Sequence, residues 1–516
     1  MFAWFERLVD PYPDQEPEVP PQGFWPFMWA CTQGTRRYIA LMTLFTASIG
    51  AFEALLFAMM GRILDWLAVV PPDQLWAREG TTLAWLALVL LTSIALAALQ
   101  TMFKHQALAG NLPMRLRWNF HRLMLSQSMS FFQDEFAGRI ATKLMQSALA
   151  VRDTWMIMTD IMVYVVIYFV TMGGVLGSFD ARSLGPFLLW IALYGVSLKF
   201  FVPRLSKVAQ AQADARSLMT GRITDAYTNI STVKLFSHSH REAGFARSAM
   251  QDFLGTVHGQ MRLVSGFETV NQLLSVILIG STVGVVLWLW TQGEVGVGAV
   301  AASTAMALRL NGISHWVMWE MAALFEHVGT VQDGMGILSR PQTVVDRPQA
   351  VPLQVPRGEV VFERVNFAYG NGRRVVQDLS LHIRPGEKIG LVGRSGAGKS
   401  TLVNLLLRFY DLSGGRILID GQDISGVTQE SLRAQIGMVT QDTSLLHRSV
   451  RENLVYGRPD ATEEQMRRAA ERAEATEFIG HLVDPKGRQG FDAHVGERGV
   501  KLSGGQRQRK IGRAHV

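Results

Sequence analysis

The chain has 516 residues, 48% hydrophobic and 18% charged, with a formal charge of +7 and one cysteine. So apolar a composition excludes an ordinary soluble protein and places part of the chain in a membrane, and the lone Cys31 excludes an internal disulfide. The positive charge could suit nucleic acid, but basic residues at the cytoplasmic ends of membrane helices give the same total, so no nucleic-acid partner is expected.

Residues 1–35 show no cationic segment followed by an apolar core and a small-residue cleavage site, so a cleavable signal is not expected and the N-terminus should stay cytoplasmic. Phe2, Trp4 and Phe5, then Phe24, Trp25, Phe27 and Trp29, flank a Pro- and acid-rich spacer, which suits short elements at the membrane interface. Residues 10–22 read equally well as a disordered tail. A hydrocarbon slab of about 30 Å needs about 20 helical residues, and six stretches meet this, at 38–60, 82–103, 155–177, 185–202, 271–290 and 296–325. Charge sets the orientation: the long connections after the second and fourth stretches carry many cations, from Lys104 to Arg152 and from Arg204 to Arg262, while the outer loops carry chiefly Arg78 and Arg182. Both long connections therefore face the cytoplasm, and their apolar spacing predicts helices continuing out of the membrane.

Glu53, Arg309 and Glu320 fall within the apolar stretches, where a charge costs about 2.5–3.5 kcal/mol, so they are expected in the bundle interior; the alternative for Arg309 and Glu320 is a cytoplasmic extension of the last helix. Arg309, Gly312, His315, Trp316 and Trp319 recur at helical spacing and would suit a lining for a large organic or lipid-like cargo; His315 reads more simply as an interior imidazole than as a metal ligand. Glu268, Asn271 and Gln272, near the start of the fifth stretch, are equally open.

Four prolines in "LSRPQTVVDRPQAVPLQVPRG" predict an extended linker over 338–357. Strand-like runs follow at 358–369 and 374–383, and "KIGLVG" is expected to be a strand feeding a glycine-rich turn and then a helix. The turn, "GRSGAGKST" over 393–401, fits the phosphate-loop pattern. Gly393, Gly396 and Gly398, with Arg394, Ser395 and Ala397 between them, let backbone N–H groups turn toward phosphate oxygens; Lys399 reaches the β- and γ-phosphates, Ser400 offers its hydroxyl to Mg²⁺, and Thr401 continues the helix.

Together with Tyr369 in "VNFAYG", Gln441 in "GMVTQDTSLL", "VGERG" at 495–499 and "LSGGQ" at 502–506, this ordered set resembles the ATP-binding cassette family, and specifically its exporter-type half-transporters, over about residues 36–509. The resemblance implies ATP and Mg²⁺ as cofactors, Tyr369 stacked on adenine, and Gln441 at Mg²⁺ and the attacking water. It also implies that Ser503, Gly504, Gly505 and Gln506 grip the nucleotide held by a second copy of the chain, so a head-to-tail homodimer is expected. Segments 129–144 and 221–236 resemble the coupling helices that dock on the nucleotide domain, and 462–482 the helical subdomain before the signature.

The expected architecture is an all-α six-helix transmembrane domain (36–337) behind an interfacial segment (1–35), then the linker (338–357) and an α/β phosphate-loop nucleotide-binding domain (358–516) that is incomplete at its C-terminus. Its expected work is ATP-driven export of a drug, lipid or similar amphipathic cargo across the cytoplasmic membrane. The family's Mg²⁺-binding Asp, catalytic Glu and switch histidine would follow "LSGGQRQR" and are not in the sequence, so the 516-residue chain is expected not to hydrolyse ATP; the alternative is a nucleotide-binding regulator or inactive fragment. Residues 511–516, "IGRAHV", break the family's helical pattern, and one reading of a common sequencing adapter, ATC GGA AGA GCA CAC GTC, encodes them, so they are expected to be non-native.

Overall fold

The computed structural model describes residues 2–135, 137–370, 372, 374–394, 396–439 and 445–496. The chain divides into two compact units, one of residues 1–126 with 135–341 and the other of residues 127–134 with 342–516.

The first unit is helical throughout, as a chain in hydrocarbon must be to satisfy its own N–H and C=O groups. Two short helices, α1 (Phe2–Glu6) and α2 (Phe24–Cys31), precede α3 (Arg36–Val69). Helix α4 (Leu75–Thr101) passes through a π-helical segment, Met102–Ala109, into α5 (Asn111–Leu125). Beyond α6 (Met129–Asp134), which belongs to the second unit, α7 (Ala137–Met156) passes through a second π-helical segment, Ile157–Ile161, into α8 (Met162–Phe179). Then come α9 (Leu184–Thr228), α10 (Ile230–Leu235), α11 (Ser239–Thr291) and α12 (Val297–Leu338).

Among the described residues five helical stretches are long and apolar enough to cross a membrane: Arg36–Val69, Leu75–Leu125, Ala137–Phe179, Ala181–Thr228 and Ser239–Thr291. The sixth expected span forms one continuous helix, α12, but falls short of that measure because Arg309 and Asn311 interrupt its most apolar stretch. Large apolar side chains such as Leu91, Ile94, Val170 and Val196 point outward, as lipid-facing residues do. The interior is aromatic and close-packed: Trp190 stacks on Tyr194 with centroids 5.0 Å apart, beside buried Tyr168, Phe267, Met306 and Leu310.

The spacer at 10–21 is bound to the first unit. Arg115 donates to the Asp10 carbonyl, Arg122 to those of Pro13, Asp14 and Gln15, and Trp118 to Pro13, so cationic side chains of α5 hold a chain that has few apolar groups of its own.

Helices α3 and α12 meet at Gly61 and Gly298 so closely that a Cβ on Gly298 would overlap the Gly61 carbonyl. Asp65 Oδ1 accepts the Gly298 N–H at 2.7 Å, fixing the start of α12. Small residues permit such crossings where lipid supplies no competing drive. Gly298→Ala is therefore expected to cost about 2 kcal/mol by overpacking, read as a lower unfolding midpoint of the detergent-purified protein.

In the second unit β1 (Val360–Ala368), β2 (Arg374–Ile383), β3 (Gly414–Ile419) and β4 (Gln422–Asp423) form an antiparallel sheet in the order β2-β1-β3-β4. Phe362, Val365, Phe367, Ile417 and Ile419 bury against Leu405 of α13 (Lys399–Leu406). The expected strand "KIGLVG" pairs with none of these four strands, and Val392 within it is 98% exposed. An apolar run of this kind becomes a strand only where neighbours supply both ladders, and the described strands lie elsewhere. The Asp420 carboxylate accepts the N–H groups of Arg357, Gly358 and Glu359 within 3.0 Å, which holds it below the usual carboxylate range. That contribution is present above the ordinary carboxylate range and fades as pH falls through the folded value.

Helix α14 (Gln429–Ala434) precedes α15 (Val450–Leu454), α16 (Glu463–Arg472) and α17 (Thr476–Gly480). The expected helical segment at 462–482 thus starts at a Thr462/Gln465 capping box and divides in two. The expected cross-piece at 129–144 is likewise two elements, α6 and the start of α7. The one at 221–236 is the end of α9 followed by α10, with Tyr227, Leu235 and Phe236 exposed.

Candidate functional site

The glycine-rich turn is shaped by backbone geometry. Gly396 and Gly398 stand at φ +83° and +85°, the left-handed region closed to most side chains, and Gly398 caps α13. A Cβ on Gly398 would come within 3.2 Å of Val375 on β2. Lys399 opens α13, and its Nζ bends back to donate to the carbonyls of Gly393, at 2.7 Å, and Arg394, at 2.9 Å. An ammonium folded back over a left-handed glycine turn at a helix N-terminus is the kind of donor set that phosphate oxygens need, so the residues present fit a nucleotide triphosphate.

Tyr369, just past β1, is half-buried; its hydroxyl is 3.2 Å from the Thr401 hydroxyl on α13, and its ring meets Phe367 and Tyr410 edge-on at 4.9 and 5.4 Å. The structure thus brings Tyr369, Gly393, Arg394, Gly396, Ala397, Gly398, Lys399, Ser400 and Thr401 to one end of the sheet. Ser395, Gln441, Ser503, Gly504, Gly505 and Gln506 lie outside the described residues, as do residues 511–516.

Three residues that sequence reasoning missed, Tyr410, Ser128 and Arg408, organise this unit. Tyr410 packs on Tyr369 and donates its hydroxyl to Gln133 of α6, while Ser128 Oγ accepts the N–H groups of Thr343 and Val344 at 3.1 and 2.9 Å. Burial pushes the Tyr410 phenol up, aided by Tyr369 and Asp134 nearby. The α6 segment is thereby fastened beside the aromatic at the loop. Arg408, 3% exposed, binds Asp346, Asp411 and the carbonyls of Val345 and Val427. An Arg in "LLLRFYD" resembles any last-turn cation, so nothing local marked it.

In the first unit, the charges that sequence reasoning questioned line two cavities of about 700 and 590 Å³, and Arg309 borders both. Arg309 lies 3.3 Å from Glu53, whose carboxylate also accepts the Tyr164 hydroxyl at 2.6 Å. The two π-helical segments face each other through Lys104 and Asp160, 2.7 Å apart, with Gln100 and Thr46 donating to the same carboxylate. Glu320 accepts the Trp316 indole N–H at 3.0 Å. His315 lies half-buried on α12, and Asn271 is buried on α11, whereas Glu268 and Gln272 border neither cavity.

A bundle of long membrane helices joined to a phosphate-loop domain defines a transporter of the exporter type powered by a nucleotide. Family comparison agrees: residues 39–313 match the ABC transporter transmembrane region and residues 376–515 the ABC transporter model. The chain belongs to the ABC transporter family. It is 56% identical over 509 residues to an "Uncharacterized ABC transporter ATP-binding protein" of Haemophilus influenzae, covering 99% of this chain and 83% of that one. It is 37% identical over 317 residues to a β-(1→2)glucan export ATP-binding/permease protein of Bradyrhizobium diazoefficiens, covering 60% of this chain and 50% of that one. The solved structure of a bacterial Atm1-family ABC exporter with ATP bound matches with a TM-score of 0.76 at 25% identity, over 93% of this chain and 84% of the other.

Proposed function

We propose that the protein exports a hydrophobic or amphipathic cargo, a drug, a lipid or a similar molecule, across the cytoplasmic membrane at the expense of ATP, as a pair of identical chains. The observation that supports this most is the left-handed turn at Gly396 and Gly398 with Lys399 folded back over it, in a chain that also carries five long apolar helices. Bound Mg·ATP would supply the free energy of phosphoryl transfer.

In this reading Tyr369 stacks on the adenine, the N–H groups from Gly393 to Thr401 hold the phosphate chain, and Lys399 neutralises charge at its end. Ser400 and Gln441 hold Mg²⁺, and Gln441 also orients water. Ser503, Gly504, Gly505 and Gln506 of the partner subunit close each site from the opposite face through a helix N-terminus. Helix α6 carries movement from the loop through Gln133 and Tyr410. The exposed apolar side chains around α10, Tyr227, Leu235 and Phe236, give the second cross-piece a surface for the partner copy. A ligand shifts such an equilibrium by as much as it prefers the closed state.

The test is uptake into inverted membrane vesicles containing the full-length transporter. ATP-dependent accumulation of a fluorescent amphiphile, lost with a non-hydrolysable analogue, is the expected result. Accumulation indifferent to ATP would overturn the reading.

A further inference from the structure

The cavity of about 700 Å³ is of a size that takes drug-like ligands, and Lys104, Asp160, Arg309 and Glu320 are the charged groups on its wall. Asp160, 5% exposed, is closed upon by Lys104 and further bonded by Gln100 and Thr46, so that pair is complete. Arg309 is matched by Glu53, which Tyr164 also serves. Glu320 is left over. Its hydrogen-bond partner is the neutral Trp316 indole, and no Lys or Arg forms an ion pair with it among the described residues. Counted with Glu53, which lines the adjoining cavity, three carboxylates stand against two cations, and Glu320 is the one left without an ion-pair partner. A charge without a counter-ion is costly at membrane depth and calls for a ligand that supplies one.

The groups beside Glu320 specify the rest of that ligand. The Trp316 and Tyr164 rings meet edge-on with centroids 6.0 Å apart at the cavity wall, and Trp316 is 38% exposed. An aromatic face beside a carboxylate attracts organic cations through the ring quadrupole as well as by charge. An anionic ligand would have to displace Glu53 from Arg309 or Asp160 from Lys104, whereas a cation displaces nothing.

We propose that this cavity binds amphipathic organic cations, with Glu320 as the counter-charge and Trp316 and Tyr164 as aromatic walls. This cargo class rests on the exporter reading, and binding without nucleotide separates the two.

The experiment measures equilibrium binding of radiolabelled tetraphenylphosphonium to the full chain in lipid nanodiscs, without ATP and with empty nanodiscs subtracted. Glu320→Gln is expected to weaken binding about tenfold, a loss of about 1.4 kcal/mol, and Glu320→Asp to retain most of it. Arg309→Gln, which frees Glu53, is expected to strengthen binding about threefold. The opposite signs of these two variants distinguish a charge effect from misfolding, since misfolding weakens both. Absence of binding to the parent, an unchanged affinity in Glu320→Gln, or weakened binding in Arg309→Gln overturns the proposal. If the binding pattern holds while ATP drives no uptake, the exporter reading fails and the site stands. If ATP drives uptake of another amphiphile while tetraphenylphosphonium does not bind, the site fails alone.

Discussion

Lys399→Ala should lower ATP affinity about 10- to 100-fold and reduce nucleotide-driven turnover of the transport-competent protein about 10²–10³-fold. The first magnitude follows from losing hydrogen bonds to a charged group, each about 1.5–3 kcal/mol, and the second from losing a preorganised donor where transition-state charge develops. In the structure the ammonium is folded over the loop and donates to the Gly393 and Arg394 carbonyls, at 2.7 and 2.9 Å, bonds that phosphate oxygens would replace on binding. A fluorescent ATP analogue reads the affinity and phosphate release reads the turnover. Lys399→Arg should rescue little, because the planar guanidinium is too large for a turn closed by Gly396 and Gly398. Parent-like affinity and turnover in Lys399→Ala would contradict the assignment of this loop.

The second large effect is on stability. Arg408→Ala removes a buried cation that joins the linker residues Val345 and Asp346 to Asp411 and to the Val427 carbonyl. Breaking a buried charged network in this way costs about 3 kcal/mol, which for a domain of this size lowers the melting transition by roughly 6–12 °C. Arg408→Lys should recover only part of that, since one ammonium cannot reach acceptors spread over the planar fork of a guanidinium. Calorimetry of the purified protein follows both variants. A melting transition unmoved by Arg408→Ala would show that the linker is held by other contacts.

The large features were legible in the sequence because each rests on a strong local rule. Apolar runs of twenty residues admit little but a membrane helix, and the glycine spacing around Lys399 requires a turn that other residues cannot make. What stayed hidden depends on partners distant in the chain. The spacer at 10–21 looked fit for disorder by composition, yet Arg115 and Arg122 hold its carbonyls from about a hundred positions away. Lys104 and Asp160 each sit in a π-helical segment, and hydrophobic spacing tuned to an ordinary helix reveals neither the segments nor the pair. "KIGLVG" has the composition of a buried strand, but composition cannot supply the neighbour that makes a ladder. Conversely, Arg309 weakened the sixth span as a hydropathy signal and now borders both cavities, so the local rule failed at a place where the chain has another task.

The central claim, that nucleotide held at Lys399 moves the membrane helices of a paired chain, can be tested with one distance. Cys31 is the sole cysteine, so a Cys31→Ser background with Gln292→Cys places one spin label per copy in the loop between α11 and α12. Pulsed dipolar spectroscopy in nanodiscs should give an inter-copy distance distribution that shifts when Mg·ATP is added and stays fixed in the Lys399→Ala form. Distributions identical with and without ATP, no inter-copy signal at all, or an undiminished shift in Lys399→Ala would contradict it.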